Sequence, residues 1–315
     1  MESVSQRKKG GDPLVVLVGP TASGKSALGV RLAKKFSGEV VSADSRQVYV
    51  GLDLGSGKIT TEEMRGVPHH LLSLASPRRR FTVAQFQKQA TRTISGILKR
   101  NHLPFLVGGS RLYIDSILKN TSFPEVRPDT KLRGQLEKKT PAALFSQLKK
   151  LDPRRARHID ANNKRRLIRA IEIVLRTGKV VPEMRTPRMR EDVLLLGIAI
   201  QEQKLKENIT KRLAKRLKQG MVSEVRKLHD FGLSFKRLES FGLEYRHVAQ
   251  YLQGKISKEE MQEKIVRDSL RLAKLQLKWF AKDKRIRWVR TKKEAERLVA
   301  DFLKQKSSSC EKPFG

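Results

Sequence analysis

The chain has 315 residues, of which 38% are hydrophobic and 32% are charged, and its formal net charge at pH 7 is +36. That length can bury a sizeable core in one large or two smaller domains. A single cysteine, Cys310, excludes a disulfide framework and a cysteine metal cluster. The positive charge predicts a polyanionic partner, with nucleic acid as the first candidate, although a solvated surface rich in Lys and Arg would give the same charge.

No apolar run in the sequence is long enough to cross a bilayer, and the first residues, MESVSQRKKGGDP, contain no apolar signal core. We therefore expect a cytoplasmic protein without a membrane partner. No pattern in the sequence indicates a protein partner, so we expect a monomer.

The most specific pattern is GPTASGKS at residues 19–26, which fits G-x-x-x-x-G-K-[ST]. An apolar run, Leu14 to Val18, precedes it and predicts a buried strand, and a helical pattern, Ala27 to Phe36, follows it. In this context the backbone N–H groups of the loop and of the helix N-terminus surround phosphate oxygens. Lys25 adds a positive charge, and the Ser26 hydroxyl can hold Mg2+. We predict that the whole loop binds phosphate: Gly19, Pro20, Thr21, Ala22, Ser23, Gly24, Lys25 and Ser26.

A second predicted strand, Glu39 to Ala43, is followed directly by Asp44. Sheets of alternating strands and helices bind ligands at the carboxyl ends of their strands. A carboxylate at that edge can hold magnesium in a kinase or act as a general base. The alternative for a single Asp at a strand end is a helix cap or a turn. The neighbouring Ser45, Arg46 and Gln47 favour a functional role.

A further strand, Pro104 to Val107, follows the helix predicted from Val83 to Arg100 and ends at Gly108, Gly109 and Ser110. An NTP hydrolase usually has an Asp that holds magnesium at the end of such a strand. The loop alone therefore does not predict an NTPase. His69 and His70 have no further metal ligands at a suitable spacing, so packing or backbone hydrogen bonds are favoured for them over a metal.

Between Thr121 and Arg190 the sequence becomes helical, basic and punctuated by proline, and an apolar run from Val193 to Ile200 then predicts another strand. The predicted fold class is α/β: a P-loop NTPase-like, doubly wound parallel sheet with an inserted basic helical domain and C-terminal helices. We place a discontinuous core at 12–121 and 191–303, the helical insertion at 122–190 and a flexible tail at 304–315.

The C-terminal third predicts amphipathic helices, first around residues 205–217 and then from Lys258 to Ala281, because apolar residues recur there at helical spacing. A short strand is predicted at Ile286 to Val289.

Several segments, taken in this order, resemble the tRNA dimethylallyltransferase (tRNA isopentenyltransferase) family. They are GPTASGKS at 19–26, ADSRQVY at 43–49, GLDLGSGK at 51–58, GVPHHLL at 66–72, FLVGGSRLYI at 105–114 and RRLIRAIEI at 165–173. The later LESFGLEYRHVAQYLQGKIS and LAKLQLKWF resemble its C-terminal helices. The resemblance covers roughly residues 13–290, and the joint order is far more specific than any one segment.

The resemblance implies transfer of a dimethylallyl group from dimethylallyl diphosphate to N6 of the adenosine next to the anticodon of tRNA. The phosphate-binding loop would then hold the diphosphate rather than ATP, with Mg2+ and Lys25 stabilising the leaving group. Asp44 would accept a proton from N6. Thr21 would lie near the reacting amine or the diphosphate, so the resemblance makes Asp44 and Thr21 the catalytic residues.

The target adenine is stacked in the anticodon loop and must be extruded to reach the enzyme. The resemblance implies that it enters a channel lined by Asp44, Ser45, Arg46, Gln47 and Ser110. The basic insertion would bind the anticodon stem through its backbone. Its tRNA-contacting helix would supply Arg165, Arg166, Leu167, Ile168 and Arg169, although these arginines could also form a solvated face.

The sequence departs from the family at two places. Ser110 and Arg111 stand where the family usually has Thr and Gly. Leu270 and Leu275 stand where it usually has arginine, so Arg267, Arg271 or Lys274 would have to supply a diphosphate contact.

Two other functions remain open at this point. A P-loop small-molecule or nucleoside kinase would use the same loop to bind ATP, but it would leave the net charge of +36 unexplained. A non-catalytic RNA-binding relative would keep the loop without using it, but the intact Lys25, Ser26 and Asp44 oppose that hypothesis.

Overall fold

The computed structural model describes residues 12–121, 123–124, 126, 128–182, 190 and 192–308. These residues contain a six-stranded sheet in which the paired strands are parallel, in the order β3-β2-β4-β1-β5-β6. The strands are β1 (Leu14–Val18), β2 (Gly38–Ala43), β3 (His69–His70), β4 (Leu103–Gly108), β5 (Val193–Ile198) and β6 (Arg287–Val289). The predicted parallel sheet is confirmed.

The helices of the described residues follow in chain order. They are α1 (Lys25–Lys35), α2 (Thr61–Met64), α3 (Val83–Lys99), α4 (Arg111–Leu118), α5 (Thr130–Glu137), α6 (Pro141–Leu151), α7 (Pro153–His158), α8 (Lys164–Thr177), α9 (Glu202–Lys218), α10 (Met221–Asp230), α11 (Phe235–Glu239), α12 (Leu243–Leu252), α13 (Lys258–Phe280) and α14 (Lys292–Ser308). None of them combines the length and apolar character needed to cross a membrane.

The chain divides into two compact units, one formed by residues 1–119 with 189–315 and the other by residues 120–188. The sheet belongs to the first unit, and α5 to α8 belong to the second. Helix α14 runs through Ser308. Residues 304–308, which we predicted as part of a flexible tail, therefore continue the last helix, and the rest of that predicted tail lies outside the described residues.

Both faces of the sheet are covered, which explains why the central strands are continuous apolar runs rather than alternating ones. In β1 all five residues are buried. Leu14, Val16 and Val18 pack into one core with α3, α4 and α10 to α13, and Val15 and Leu17 pack into a second core with α1 and α14. Successive side chains of a strand point to opposite faces, so one apolar run contributes side chains to both cores.

The strand order brings three loops to one edge of the sheet. Val18 of β1 and Ala43 of β2 are both paired with Gly108 of β4. The phosphate-binding loop, the Asp44 loop and the Gly109–Ser110 turn therefore leave the sheet side by side. A Cβ at Gly108 would lie 2.2 Å from the carbonyl oxygen of Ala43, so only glycine permits this approach.

Strand β3 was not predicted, because its two residues are too short for a periodic pattern. It is held by a buried carboxylate on β2. The side chain of Glu39 accepts hydrogen bonds from Arg100 at 3.0 and 2.8 Å, and its oxygens lie 2.6 Å from His70 Nε2 and 2.7 Å from His102 Nδ1. Burial alone would raise the pKa of Glu39, but these hydrogen bonds outweigh it and lower the pKa to about 2.

Replacing Glu39 by Gln tests this cluster. The lowered pKa stabilises the fold above the ordinary value near 4.5, and the stabilisation is lost as pH falls toward 2. We expect Glu39→Gln to reduce the free energy of unfolding at pH 7 by about 3 kcal/mol. The difference from the parent should shrink below pH 4.5. Urea unfolding followed by tryptophan fluorescence measures it, with exposed Glu263→Gln as the control. A difference that stays constant down to pH 3 would contradict this account.

Candidate active site

The phosphate-binding loop joins β1 to α1, as predicted, and its backbone is strained in a way that opens it to an anion. Gly24 precedes α1 with φ of 85°, and Ala22 has φ of 61°, which is unusual for a residue with a side chain. A Cβ at Gly19 would lie 2.8 Å from Ser23 Oγ. That hydroxyl is buried and has no hydrogen-bond partner among the described residues. The loop therefore leaves polar groups at the start of α1 for a ligand.

Residues from the C-terminal part of the chain hold the tip of this loop. Gln276 of α13 accepts a hydrogen bond from the Thr21 backbone N–H at 2.9 Å and donates one to the Gly109 carbonyl at 3.0 Å. Asn208 of α9 donates to the Ala22 carbonyl at 3.1 Å. A Cβ at Gly109 would lie 2.6 Å from Gln276 Nε2, so the paired glycines let α13 reach the loop.

The loop is surrounded by more positive than negative charge. Arg212 of α9 donates to Thr21 Oγ1 at 2.7 Å, and Arg216, one turn further on, lies 3.6 Å from Glu244. Burial lowers the pKa of Lys25 to about 8, with the two arginines adding to that effect and Asp44 opposing it. Burial also lowers the pKa of Arg212 to about 10. Asp44, Glu224 and Glu244 act on these cations, yet the pKa of Lys25 and of Arg212 stays below its ordinary value, so the site favours an anionic ligand.

Arg212, Arg216 and Gln276 were not predicted as residues of this site. Asn208, Arg212 and Arg216 follow one another at four-residue spacing, as Leu205, Ile209 and Leu213 do on the apolar face. That spacing shows which residues share a face. It does not distinguish these arginines from Lys211 and Lys215 beside them, so no signal in this sequence could have assigned them to the site.

A cavity of about 1200 Å³ opens beside the loop, within the first unit. Its lining includes Lys25 and Ser26 of α1, Asn208 and Arg212 of α9 and Lys58 of the 51–58 loop. The cavity gives an anion a route from solvent to the start of α1, and the Ser26 side chain is exposed to it.

The Asp44 loop leaves β2 at the same edge of the sheet, as predicted. Asp44 is half-buried, and its Oδ1 accepts a hydrogen bond from the Arg46 backbone N–H at 2.8 Å. Ser110 Oγ accepts from the Ser45 backbone N–H at 3.1 Å, which ties this loop to the end of β4. Burial lowers the pKa of Arg46, and Asp44 opposes that shift. The structure thus brings Asp44, Ser45, Arg46 and Ser110 together.

Gln47, which we predicted to line a channel for an adenine, forms two hydrogen bonds within the protein. Its Oε1 accepts from Ser42 Oγ at 3.1 Å, and its Nε2 donates to the Gly57 carbonyl at 3.0 Å. Both ends of the side-chain amide are engaged within the protein. Gln47 therefore holds the 51–58 loop in place, and its contact with a base stays a prediction.

The 51–58 loop is shaped by one carboxylate on α10. Glu224 accepts hydrogen bonds from three successive backbone N–H groups, those of Asp53 at 3.1 Å, Leu54 at 2.6 Å and Gly55 at 3.1 Å. The Tyr245 hydroxyl donates to the same carboxylate at 2.7 Å. A side chain at Gly55 would collide with the Tyr245 ring, and one at Gly57 would collide with Arg216. The glycines of GLDLGSGK therefore let the loop close over Arg216.

The residues that depart from the family pattern lie in different surroundings in the structure. Arg111 begins α4 in ordinary helical geometry and pairs with Asp115 at 3.3 Å, so it does not disturb the turn. Leu270 packs against the small apolar cluster of Leu205, Ile209 and Ala273. Leu275 is 41% exposed.

The cations expected to replace the missing arginines form no hydrogen bond or ion pair with the phosphate-binding loop among the described residues. Lys274 pairs with Glu202 at 2.7 Å, Arg267 pairs with Asp268 at 3.2 Å and Arg271 is exposed. Arg212 of α9 contacts the phosphate-binding loop through Thr21, and Arg216 lies one turn further along the same helix. A contact between the diphosphate and a cation of α13 stays a prediction.

The second unit changes the role of the predicted tRNA-contacting helix α8. Leu167 and Ile168 are buried in the core of that unit, so their side chains pack there rather than face a ligand. Arg169 donates to the buried Glu172 at 2.6 Å, and Arg133 forms a bidentate pair with the same carboxylate at 2.7 and 2.6 Å. Arg169 is therefore a stabilising residue. Arg165 and Arg166 lie exposed in the first turns of α8.

Comparisons with known proteins agree with this arrangement. The family model described as IPP transferase matches residues 47–283, and a second model described as Isopentenyl transferase matches residues 13–76. A tRNA dimethylallyltransferase of Carboxydothermus hydrogenoformans is 40% identical over 303 residues, which cover 93% of this chain and 96% of that protein. One of Anoxybacillus flavithermus is 39% identical over 282 residues, which cover 88% of this chain and 90% of that protein.

Solved structures give the same result. The full-length tRNA isopentenylpyrophosphate transferase of Bacillus halodurans has a TM-score of 0.72 and 36% identity, covering 95% of this chain and 99% of that one. A eukaryotic dimethylallyltransferase acting on tRNA has a TM-score of 0.73 and 26% identity, covering 85% of this chain and 70% of that one. The chain therefore belongs to the IPP transferase family, which has a P-loop-like α/β fold. Within this family, its relatives carry the name tRNA dimethylallyltransferase.

Replacing Lys25 by Met tests the excess of positive charge. Because the pKa of Lys25 is about 8 in the folded protein against an ordinary 10.5, the charged ammonium costs stability below pH 8. Stability should therefore rise with pH between 8 and 10.5 in the parent. We expect Lys25→Met to raise the free energy of unfolding at pH 7 by about 1–3 kcal/mol, and to abolish that rise. Exposed Lys34→Met is the control, and a variant less stable than the parent would contradict the account.

Proposed function

We propose that this protein transfers a dimethylallyl group from dimethylallyl diphosphate to N6 of the adenosine next to the anticodon of tRNA. Membership of the family supports the reaction class, and relatives named for tRNA support the acceptor. The observation that carries the proposal is the cationic phosphate-binding loop beside Asp44. It combines a site for an anionic leaving group with a base at the same edge of the sheet.

Catalysis depends chiefly on stabilising the leaving group, because an exocyclic adenine amine is a poor nucleophile. Charge develops on the diphosphate as the bond to the allylic carbon breaks. Lys25, Arg212 and the backbone N–H groups at the start of α1 stabilise that charge from fixed positions. Thr21 Oγ1 accepts its hydrogen bond from Arg212, which leaves the Thr21 hydroxyl proton to donate to the diphosphate.

The proton released from N6 passes to Asp44. One oxygen of its carboxylate is fixed by the Arg46 backbone N–H, which orients the side chain. The other oxygen has no hydrogen-bond partner in the described part of the chain. That oxygen accepts the proton, while Ser45, Arg46 and Ser110 surround the extruded base.

The start of α1 also fits Mg2+, which we propose as the cofactor. The Ser26 hydroxyl lines the cavity next to Lys25, and Mg2+ prefers oxygen ligands and keeps several waters. No cluster of three or more His, Cys, Asp or Glu side chains in the described residues could hold a metal without a ligand. The ion would therefore be held by Ser26 together with diphosphate oxygens. When bound, it neutralises charge on the departing diphosphate.

Calorimetry tests the ligand. We expect dimethylallyl diphosphate with Mg2+ to bind more tightly than ATP, and Lys25→Ala to weaken binding, because it removes a cation from the diphosphate. Lys88→Ala provides a matched control at an exposed position of α3. Tighter binding of ATP would favour a kinase.

Replacing Asp44 by Asn tests the base. We expect Asp44→Asn to keep the affinity for tRNA and to lower the single-turnover rate of transfer by about 10²–10⁴-fold, as usual for the loss of a general base. Asp301→Asn, at an exposed position of α14, is the matched control. A rate within threefold of the parent would remove Asp44 from the mechanism.

Replacing Arg165 and Arg166 together by Ala tests the second unit. Each tRNA phosphate that the variant no longer neutralises should reduce the slope of log affinity against log salt by about 0.7–0.9. We expect the double variant to flatten the slope for tRNA by about 1–2 units on that argument. Lys149→Ala/Lys150→Ala, on exposed positions of α6, is the matched control. Equal slopes for parent and variant would mean that these arginines face solvent in the complex.

A further inference from the structure

A run of three arginines in the first unit has no part in the site described above. Arg78, Arg79 and Arg80 are consecutive and exposed, in the segment between β3 and α3. Arg78 donates a hydrogen bond to the backbone carbonyl of Phe231. The guanidinium groups of Arg79 and Arg80 have no partner among the described residues. Unpaired cations of this kind are available to an anionic partner.

The backbone that carries these arginines is fixed rather than free. Arg237 of α11 donates to the carbonyls of Pro77 and Arg79, each at 2.8 Å. The Phe81 backbone N–H donates to the Tyr49 hydroxyl at 2.9 Å. The Arg237 guanidinium lies over the Phe241 ring at 4.4 Å from its centroid, so it is itself held in place. A segment fixed before binding loses little conformational entropy when it binds.

An exposed aromatic residue is joined to the arginine segment through its backbone. Phe231 is 73% exposed, and it belongs to the loop whose carbonyl binds Arg78. Val50 and Leu74 are also about half exposed, at 51% and 50%. Backbone hydrogen bonds hold the segments of these two residues together, from Leu74 to Val48 at 2.7 Å and from Val50 to Ala75 at 3.0 Å. Exposed apolar side chains on segments linked to, or continuous with, the segment that carries the unpaired arginines mark an interaction surface.

This surface connects directly to the Asp44 loop. Tyr49, which anchors the arginine segment, ends that loop, and its backbone N–H donates to the Arg46 carbonyl at 3.2 Å. A polymer that places one base at Asp44 would therefore have its neighbouring nucleotides near the arginines. Unpaired arginines with an exposed aromatic ring are the features with which proteins bind single-stranded nucleic acid.

We propose that Arg79, Arg80 and Phe231 bind the single-stranded part of the RNA substrate, next to the base that enters the active site. A nucleobase stacks on the Phe231 ring, and the two arginines contact the adjoining phosphates. Arg78 acts as a positioning residue that holds the Phe231 loop. This inference rests on the proposed function, because it takes the substrate to be an RNA with an unpaired loop.

Binding of an unmodified tRNA transcript, measured by filter retention at several salt concentrations, tests the surface. Arg79→Ala/Arg80→Ala should flatten the slope of log affinity against log salt by about 1–2 units, at 0.7–0.9 for each phosphate. Phe231→Ala should weaken binding by about 5- to 100-fold without changing the slope, and Phe231→Tyr should restore it, since stacking needs only an aromatic ring. All of these side chains are exposed, and the thermal midpoint of each variant checks that the fold is kept.

The matched control is Lys293→Ala/Arg297→Ala, which removes the same charge from exposed positions of α14, on the opposite face of the sheet. A tRNA slope and affinity in the test variants equal to those of this control would overturn the inference. A parent protein that does not bind tRNA would overturn the proposed function and the inference together. Equal losses for tRNA and for a fully double-stranded RNA would overturn the assignment to a single-stranded segment.

Discussion

The structure depends on positive charge held at the start of α1 in excess of the negative charge around it. Burial, with neighbouring arginines adding to it, lowers the pKa of Lys25 to about 8 and that of Arg212 to about 10. Such an arrangement is unfavourable in an empty protein and favourable once an anion is bound. Three parts of the fold hold this positive charge in place: the phosphate-binding loop, the C-terminal helices and the glycine-rich 51–58 loop.

Residues far apart in the sequence make the contacts that hold these parts together. Gln276 ties the tip of the loop to the end of β4, and Arg212 and Asn208 reach it from α9. Glu224 closes the 51–58 loop against Arg216. The second unit is inserted before β5, yet β5 still pairs with β1, so the first unit keeps one continuous sheet. The phosphate-binding loop, the Asp44 loop and the Gly109–Ser110 turn therefore share one edge of that sheet.

Much of this arrangement could be predicted from the sequence, for a physical reason. Buried parallel strands are mostly apolar on both faces, so β1, β4 and β5 stand out as runs, β2 is recognisable despite its buried Glu39, and the loop and Asp44 follow from the ends of β1 and β2. Tertiary contacts leave no such pattern. Gln276 forms its hydrogen bonds with Thr21 and Gly109, which are far from it in the sequence. The hydrogen bond from Gln47 to Gly57 and the burial of Leu167 and Ile168 likewise depend on how the chain folds. Two-residue β3 is too short to have a period.

The measurement that tests the central claim most directly is the mass of tRNA after incubation with the protein, dimethylallyl diphosphate and Mg2+. If the cations around α1 stabilise a departing diphosphate, tRNA should gain the mass of one dimethylallyl group in place of a hydrogen. Nuclease digestion should locate it on the adenosine next to the anticodon, and Arg212→Ala should greatly reduce its yield. An unchanged tRNA mass, with ATP consumed by the same protein in the presence of tRNA, would contradict the account.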